Sequence, residues 1–310
     1  MDLKQIANKL FKSEDVPASG GGLFVTVDEL VAQRRYAYQW QLGYLNRFTS
    51  QQAGDVKSIF KGRGMEFEEI RAYNFGDDVR DIDWRVTARK QVPYTKLYAE
   101  EKDREVYVLL DLSPQMLFGT KKELKSVTAA KIAARIGWQC LKNKDRFGCV
   151  LSDGEENFLL KAQNSQLNMM HIFKKISDLS CQILKKKVLG TDVYLKRAIS
   201  LLEQAVRHRA IVFIISDFAV FSDDTRKVLA MLAKKADVTC VNVFDILEKC
   251  PPEAGEYMVQ QERRKLVFSS GSEAFRTEYE TYFADRHKQL KEFCNKFHLH
   301  YIESFSAVCE

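Results

Sequence analysis

From residue 105 onward the chain alternates between two kinds of segment, and that alternation narrows its fold more than any other feature. Three runs, 106–110, 147–151 and 211–215, are apolar from end to end, and a fourth, 238–244, is apolar but for Thr239 and Asn242. A half-exposed strand would be apolar only at every second position, so these runs need cover on both faces, as strands of a parallel sheet have. Between them, 122–141, 193–208 and 225–235 read as helices. Strand, helix, strand in succession predicts an α/β domain built on a mostly parallel sheet flanked by helices. Asp153-Gly154 ahead of 158–161 is a hairpin signal, so one strand is expected to be antiparallel. A long helix over 273–297 and a closing strand over 300–304 complete the pattern. No apolar stretch approaches the roughly 20 residues that cross a bilayer.

Two zones precede this domain. Residues 1–58 read as a helical arm: a short amphipathic start, a break over 17–22, then a helix over 28–45. Leu30, Tyr38, Leu42 and Leu45 share one face there, and Asp28 is placed to cap the start. Such an arm packs on the domain or, alternatively, docks a partner. Residues 59–104 are different in kind. Ten basic and ten acidic residues fall among the 44 from Lys61 to Arg104. Balanced charge at that density usually marks a solvated face or a salt-bridged scaffold. Interleaved anchors such as Phe67, Ile70, Tyr73, Trp84 and Leu97 exclude a disordered tract. Short strands with polar turns, one of them over 74–78, are expected. The zones are then 1–58, 59–104 and 105–310.

Composition excludes several classes. The 48 Lys and Arg against 42 Asp and Glu give a net charge of +6. The basic runs at 185–187 and 207–209 are too short for a nucleic-acid track, which needs clustered cations. Seven cysteines without a CxxC pair argue against a zinc site and a disulfide framework. The N-terminal stretch has no apolar core of the kind a secretory signal carries. A cytoplasmic protein is the expectation. His298 and His300 alternate but lack a third ligand, and no Gly-x-Ser-x-Gly elbow is present. Gly62-x-Gly64 permits a turn and is no phosphate loop.

In open α/β sheets, ligands bind beyond the carboxyl ends of the strands. After the first strand stands Asp111-Leu112-Ser113-Pro114-Gln115; after 211–215 stands Ser216-Asp217; before the helix at 193 stands Gly190-Thr191-Asp192. Asp111, Ser113, Thr191 and Asp217 are hard oxygen donors, the kind Mg²⁺ or Mn²⁺ takes. Taken singly, each has a plainer reading; Thr191 or Asp192 simply caps the following helix.

Together, the Asp-x-Ser turn, the Gly-Thr-Asp and the strand-terminal Asp217 resemble the metal-ion-dependent adhesion site of von Willebrand factor type A domains. Upstream, the string from Lys61-Gly62-Arg63-Gly64 through Arg71-Ala72-Tyr73 and Gly76-Asp77-Asp78-Val79-Arg80-Asp81-Ile82-Asp83-Trp84-Arg85 to Thr87-Ala88-Arg89 resembles the bacterial family called domain of unknown function 58. The match is dense over about 50 residues and collinear to about residue 245. The resemblance implies a von Willebrand A-like, Rossmann-like domain. It also implies a non-enzymatic protein-interaction module, an adaptor or chaperone-like partner of a MoxR-type AAA+ ATPase. The ion would be held by Asp111, Ser113, Thr191 and Asp217, with Gln115 and Asp192 at the binding face. Gln115 departs from the family's Asp-x-Ser-x-Ser, because its longer side chain does not replace a seryl hydroxyl. That departure supports an alternative, an ion-free scaffold on the same fold. A Mg²⁺-dependent phosphohydrolase with Asp111 as nucleophile is a further alternative, although Ser113 stands where such enzymes want a second Asp. Arg71, Asp77, Asp78, Arg80, Asp81, Asp83, Trp84 and Arg89 are expected to form a buried ion-pair network, with a binding surface as the other reading.

Overall fold

A computed structural model describes residues 20–37, 65–75, 77–100, 104–185, 192–261 and 264–306. In chain order these form helices α1 (Val27–Ala32) and α2 (Arg34–Ala37), strand β1 (Met65–Ala72), helix α3 (Trp84–Lys90) and strand β2 (Tyr94–Glu100). There follow β3 (Glu105–Asp111), α4 (Lys125–Lys142), β4 (Arg146–Ser152), β5 (Asn157–Gln163), α5 (Gln166–Ile183) and α6 (Asp192–Ala205). The remainder is β6 (Ala210–Ser216), α7 (Asp223–Ala233), β7 (Ala236–Phe244), α8 (Ile246–Lys249), the β8–β9 hairpin (Glu256–Gln261, Arg264–Ser269), α9 (Glu273–Lys296) and β10 (His300–Phe305). Residues 65–100 belong to one compact unit, and the rest of the described chain to another.

The larger unit is a six-stranded sheet in the order β10-β7-β6-β3-β4-β5, parallel except for β5. All four apolar runs are sheet strands, and all seven residues of β6 are buried. Burying each Leu, Ile or Val from both faces contributes about 1.5–3 kcal/mol, which is why a run with no polar positions settles in the centre. One face is covered by α6, α7 and α9 through Leu195, Ile199, Leu229 and Leu290. On α4 and α5, Trp138 meets Phe173 edge to face at 5.9 Å. The Asp153-Gly154 turn does join an antiparallel pair. Gly154 has φ +85°, and a Cβ there would lie 2.8 Å from Pro114 Cδ, so only glycine lets the loop after β3 lie against the turn.

The described part of the arm packs on this unit. Leu30 is fully buried, the Trp138 indole N–H donates to the Leu30 carbonyl at 3.1 Å, and the Val25 N–H donates to Ser180 Oγ at 3.2 Å. The helix start is capped by Thr26, in a capping box with Glu29, and not by Asp28, which lies inside the first turn. The helix over 28–45 is interrupted at Gln33, and residues 38–45 lie outside the described residues. The α5 helix and the β8–β9 hairpin were not foreseen.

In the smaller unit β1 and β2 pair antiparallel, as short strands were expected to. The segment between them holds a helix, α3, where only strands and turns were expected. The buried ion-pair network is corrected as well. Arg71 and Asp77 do pair at 2.7 Å, but with 27% and 19% of their side chains exposed. Asp78 and Asp83 cap the following helical turns by accepting backbone N–H bonds, and Arg80, Trp84 and Arg89 are exposed.

A candidate cation site at the sheet's carboxyl edge

Strand β3 is the point from which the connections run in opposite directions, to β4 on one side and β6 on the other. Loops leaving β3 and β6 therefore diverge and open a crevice, and Asp111 and Asp217 sit at its two lips. Asp111, Ser113, Gln115, Ser152, Ser216 and Asp217 line a cavity of about 20 Å³, room for one water-sized occupant.

Asp111 is 6% exposed. One carboxylate oxygen accepts the Ser113 N–H at 2.9 Å, and the other accepts the Ser216 hydroxyl at 2.6 Å. Burial, reinforced by the neighbouring Asp217 charge, pushes its carboxyl above the ordinary range, and the bonds from Ser216 and Ser113 only partly offset this. The Ser113 hydroxyl is near that carboxylate but has no hydrogen bond of good geometry, although the atom is buried. A buried hydroxyl in this condition is rare and calls for a partner.

Asp217 follows β6 in a strained turn. Phe218, a buried non-glycine residue, takes φ 47°, a conformation costing on the order of 1–3 kcal/mol. The turn lets one Asp217 oxygen accept the Ala219 N–H at 3.0 Å. The other accepts the Lys125 ammonium at 2.7 Å, and Lys125 also donates to Glu248 at 2.8 Å. Lys125 is 1% exposed. Burial alone would depress its ammonium, but Asp217 and Glu248 more than offset this, so its pKa is raised. No reading of the sequence singled out Lys125.

The structure thus brings Asp111, Ser113, Gln115 and Asp217 together. Thr191 lies outside the described residues, as does the side chain of Asp192, the first residue of α6. Among the described residues no three His, Cys, Asp or Glu side chains converge as a metal cluster. A cation here would rest on two carboxylates and hydroxyls. The donors fit a hard divalent ion on two grounds. The buried Ser113 oxygen has no hydrogen bond of good geometry, and the one ammonium, Lys125, pairs with Asp217 and Glu248 while Asp111, beside Asp217, has no ion pair among the described residues.

Fold and site together define a doubly wound α/β protein with a polar pocket at its topological switch point. The chain belongs to the family described as "Protein of unknown function DUF58", whose model matches residues 69–289. Uncharacterized proteins of Mycobacterium tuberculosis and Mycobacterium bovis are 27% identical over 214 residues, 69% of this chain and 66% of theirs, so the match spans just under two thirds of those relatives. Among solved structures, a conserved hypothetical protein BatB from Bacteroides thetaiotaomicron aligns at a TM-score of 0.41 with 16% identity, over 66% of this chain and 91% of that one. An aerotolerance-related membrane protein from Bacteroides fragilis aligns at 0.42 with 13% identity, over 65% and 91%. No described helix of the present chain is long and apolar enough to cross a membrane.

Proposed function

We propose that the chain is a non-enzymatic protein-interaction module whose sheet edge binds a divalent cation, Mg²⁺ or Mn²⁺, as part of its docking face. The observation that carries this reading is the buried Ser113 hydroxyl beside Asp111, without a hydrogen bond of good geometry, in a cavity that admits one small occupant. Asp111 and Ser113 would hold the ion directly. Asp217 is already bonded to Lys125, so it contributes field more than a free ligand oxygen. When bound, such an ion offers a Lewis-acid position to a partner's Asp or Glu. Ser216 and the Ser113 N–H hold the Asp111 carboxylate in place, and the strained Phe218 turn holds Asp217. Both Asp111 oxygens accept hydrogen bonds, which disfavours the nucleophile role of the phosphohydrolase alternative. A MoxR-type AAA+ ATPase is the partner that the family resemblance implies, in an adaptor or chaperone-like role.

The ion-free scaffold is the second reading, and Lys125 favours it, because the edge already contains a cation of its own. A thermal-shift titration with Mn²⁺ or Mg²⁺ against EDTA separates the two, using wild type, Ser113→Ala and Gln115→Ser. Ion at about 100 times its dissociation constant adds about 2.7 kcal/mol, which raises the midpoint by roughly 5–10 °C for a domain of this size. A rise in wild type that Ser113→Ala removes supports the ion reading. A flat wild-type response with a rise only in Gln115→Ser means that the scaffold reading is right. Binding of the purified MoxR-type ATPase, measured by calorimetry with Mn²⁺ and then with EDTA, tests the partner; no heat in either condition removes it.

A further inference from the structure

A second pocket, of about 400 Å³, opens beside the cation site and shares Asp217 and Ala219 with it. Its size is that of a ligand site, and its polar walls contain groups that the protein leaves unsatisfied. Asn242, near the end of β7, is 1% exposed. Its amide NH₂ donates to the Tyr301 hydroxyl at 3.1 Å and lies 3.2 Å from His287 Nε2, which leaves its carbonyl oxygen buried without a partner. Arg286, half-buried on α9, has no ion pair or hydrogen bond among the described residues, and its Nη2 is buried. Arg226, on α7, is held over the Phe221 ring at 5.3 Å and by Asp223 and Gln289, yet its Nε is buried without a partner. The carboxylates nearby cancel only part of this charge: Asp217 is committed to Lys125, Asp285 is exposed at the rim, and Asp223, which pairs with Arg226 at 3.3 Å, is itself 86% exposed.

We infer that this pocket binds an acidic side chain of a peptide, with Arg286 and Arg226 taking the carboxylate and the Asn242 carbonyl taking a peptide N–H. Guanidinium is the group best matched to a carboxylate, and a half-buried arginine left without an ion pair, as Arg286 is, is costly unless a ligand completes it. The adjoining pockets form one continuous edge, which suits an extended segment better than a small isolated anion. This inference deepens the proposed interaction role by naming the chemistry of the partner, but it needs no metal.

The test is fluorescence anisotropy in EDTA with a fluorescein-labelled peptide of alternating glutamate and glycine, beside its glutamine counterpart. EDTA removes the cation site from the measurement, so failure of the ion reading leaves this result standing, and the reverse. The glutamate peptide should bind at least tenfold more tightly than the glutamine peptide. Arg286→Gln and Arg226→Gln should each weaken it tenfold or more, and Arg286→Lys should restore part of the loss. Equal binding of the two peptides, or full affinity in Arg286→Gln, overturns the proposal. So does displacement by free glutarate at the same concentration as unlabelled peptide, since the pocket would then read a small dicarboxylate and no peptide.

Discussion

The chain handles charge in two opposite ways. Between Lys61 and Arg104 there are twenty charged residues in 44, and those described within the smaller unit are largely solvated or spent on helix caps. At the sheet's carboxyl edge a handful of charges, Asp111, Asp217, Glu248 and Lys125, lie inside the protein at distances near 2.7–2.8 Å where they pair. The crowded region is electrostatically quiet because water screens it. The sparse one is strained because burial removes that screening: it raises the pKa of Asp111, and it would depress that of Lys125 did Asp217 and Glu248 not more than offset it. Charge density along a sequence is therefore a poor guide to where electrostatic energy is stored; burial decides it.

The largest effect that contrast predicts is at Lys125. Lys125→Met leaves the Asp217 carboxylate buried without its partner, a change that costs about 3–5 kcal/mol. Urea unfolding should show the loss, and Lys125→Met combined with Asp217→Asn should recover most of it. The pH dependence has a definite sign. A lysine raised in the folded state contributes stability that is complete below its unfolded pKa of about 10.4. That contribution is lost as pH rises through the higher folded value. Wild type should lose stability in this alkaline window, and Lys125→Met should lack that component. If the variant unfolds at the wild-type urea midpoint, the buried pair is no stronger than a surface one and the contrast between the two regions fails.

The same physics decides what could be read from the sequence. The sheet strands were legible because a run with few or no polar positions has one stable home, the middle of an α/β sandwich. Asp111, Ser113 and Asp217 were placed by their positions after strands, which topology turns into a common edge. Lys125 was not legible. It stands in Lys121-Lys122-Glu123-Leu124-Lys125, where any lysine reads as a solvated residue near a helix start, and lysines are almost never fully buried. Only the tertiary partners Asp217 and Glu248, 92 and 123 residues away, reveal it. Helix α5 did leave a signal, in Met169, Phe173, Ile176 and Ser180 at helical spacing behind the Ser165 cap. In α3 no such signal exists, because charges occupy its faces and no residue of it is buried.

A smaller effect is expected where the charged segment uses its carboxylates as caps. Asp83 accepts the Arg85 and Val86 N–H groups at 3.0 and 3.2 Å. Asp83→Ala should cost about 1 kcal/mol, the usual worth of such a cap. Hydrogen exchange should place that loss in the amides of α3, with α4 unchanged. A loss distributed over the whole sheet would mean that the two units are energetically coupled.

The smallest effect belongs to the pair that the sequence suggested as part of a buried network. Arg71 and Asp77 meet at 2.7 Å with about a quarter and a fifth of their side chains still exposed. Arg71 also donates to the Ala72 carbonyl, and Asp77 accepts the Asn74 N–H, so each has bonds that survive loss of the other. Solvent screening limits pairs of this kind to about 0.2–1 kcal/mol. A double-mutant cycle with Arg71→Ala and Asp77→Ala should give a coupling energy in that range, shrinking in added salt because exposed pairs are screened. The Lys125–Asp217 coupling should barely respond to the same salt. A salt-insensitive coupling at Arg71–Asp77 of several kcal/mol would show that burial does not separate the two regions, and the dense charge of the segment would then be storing energy after all.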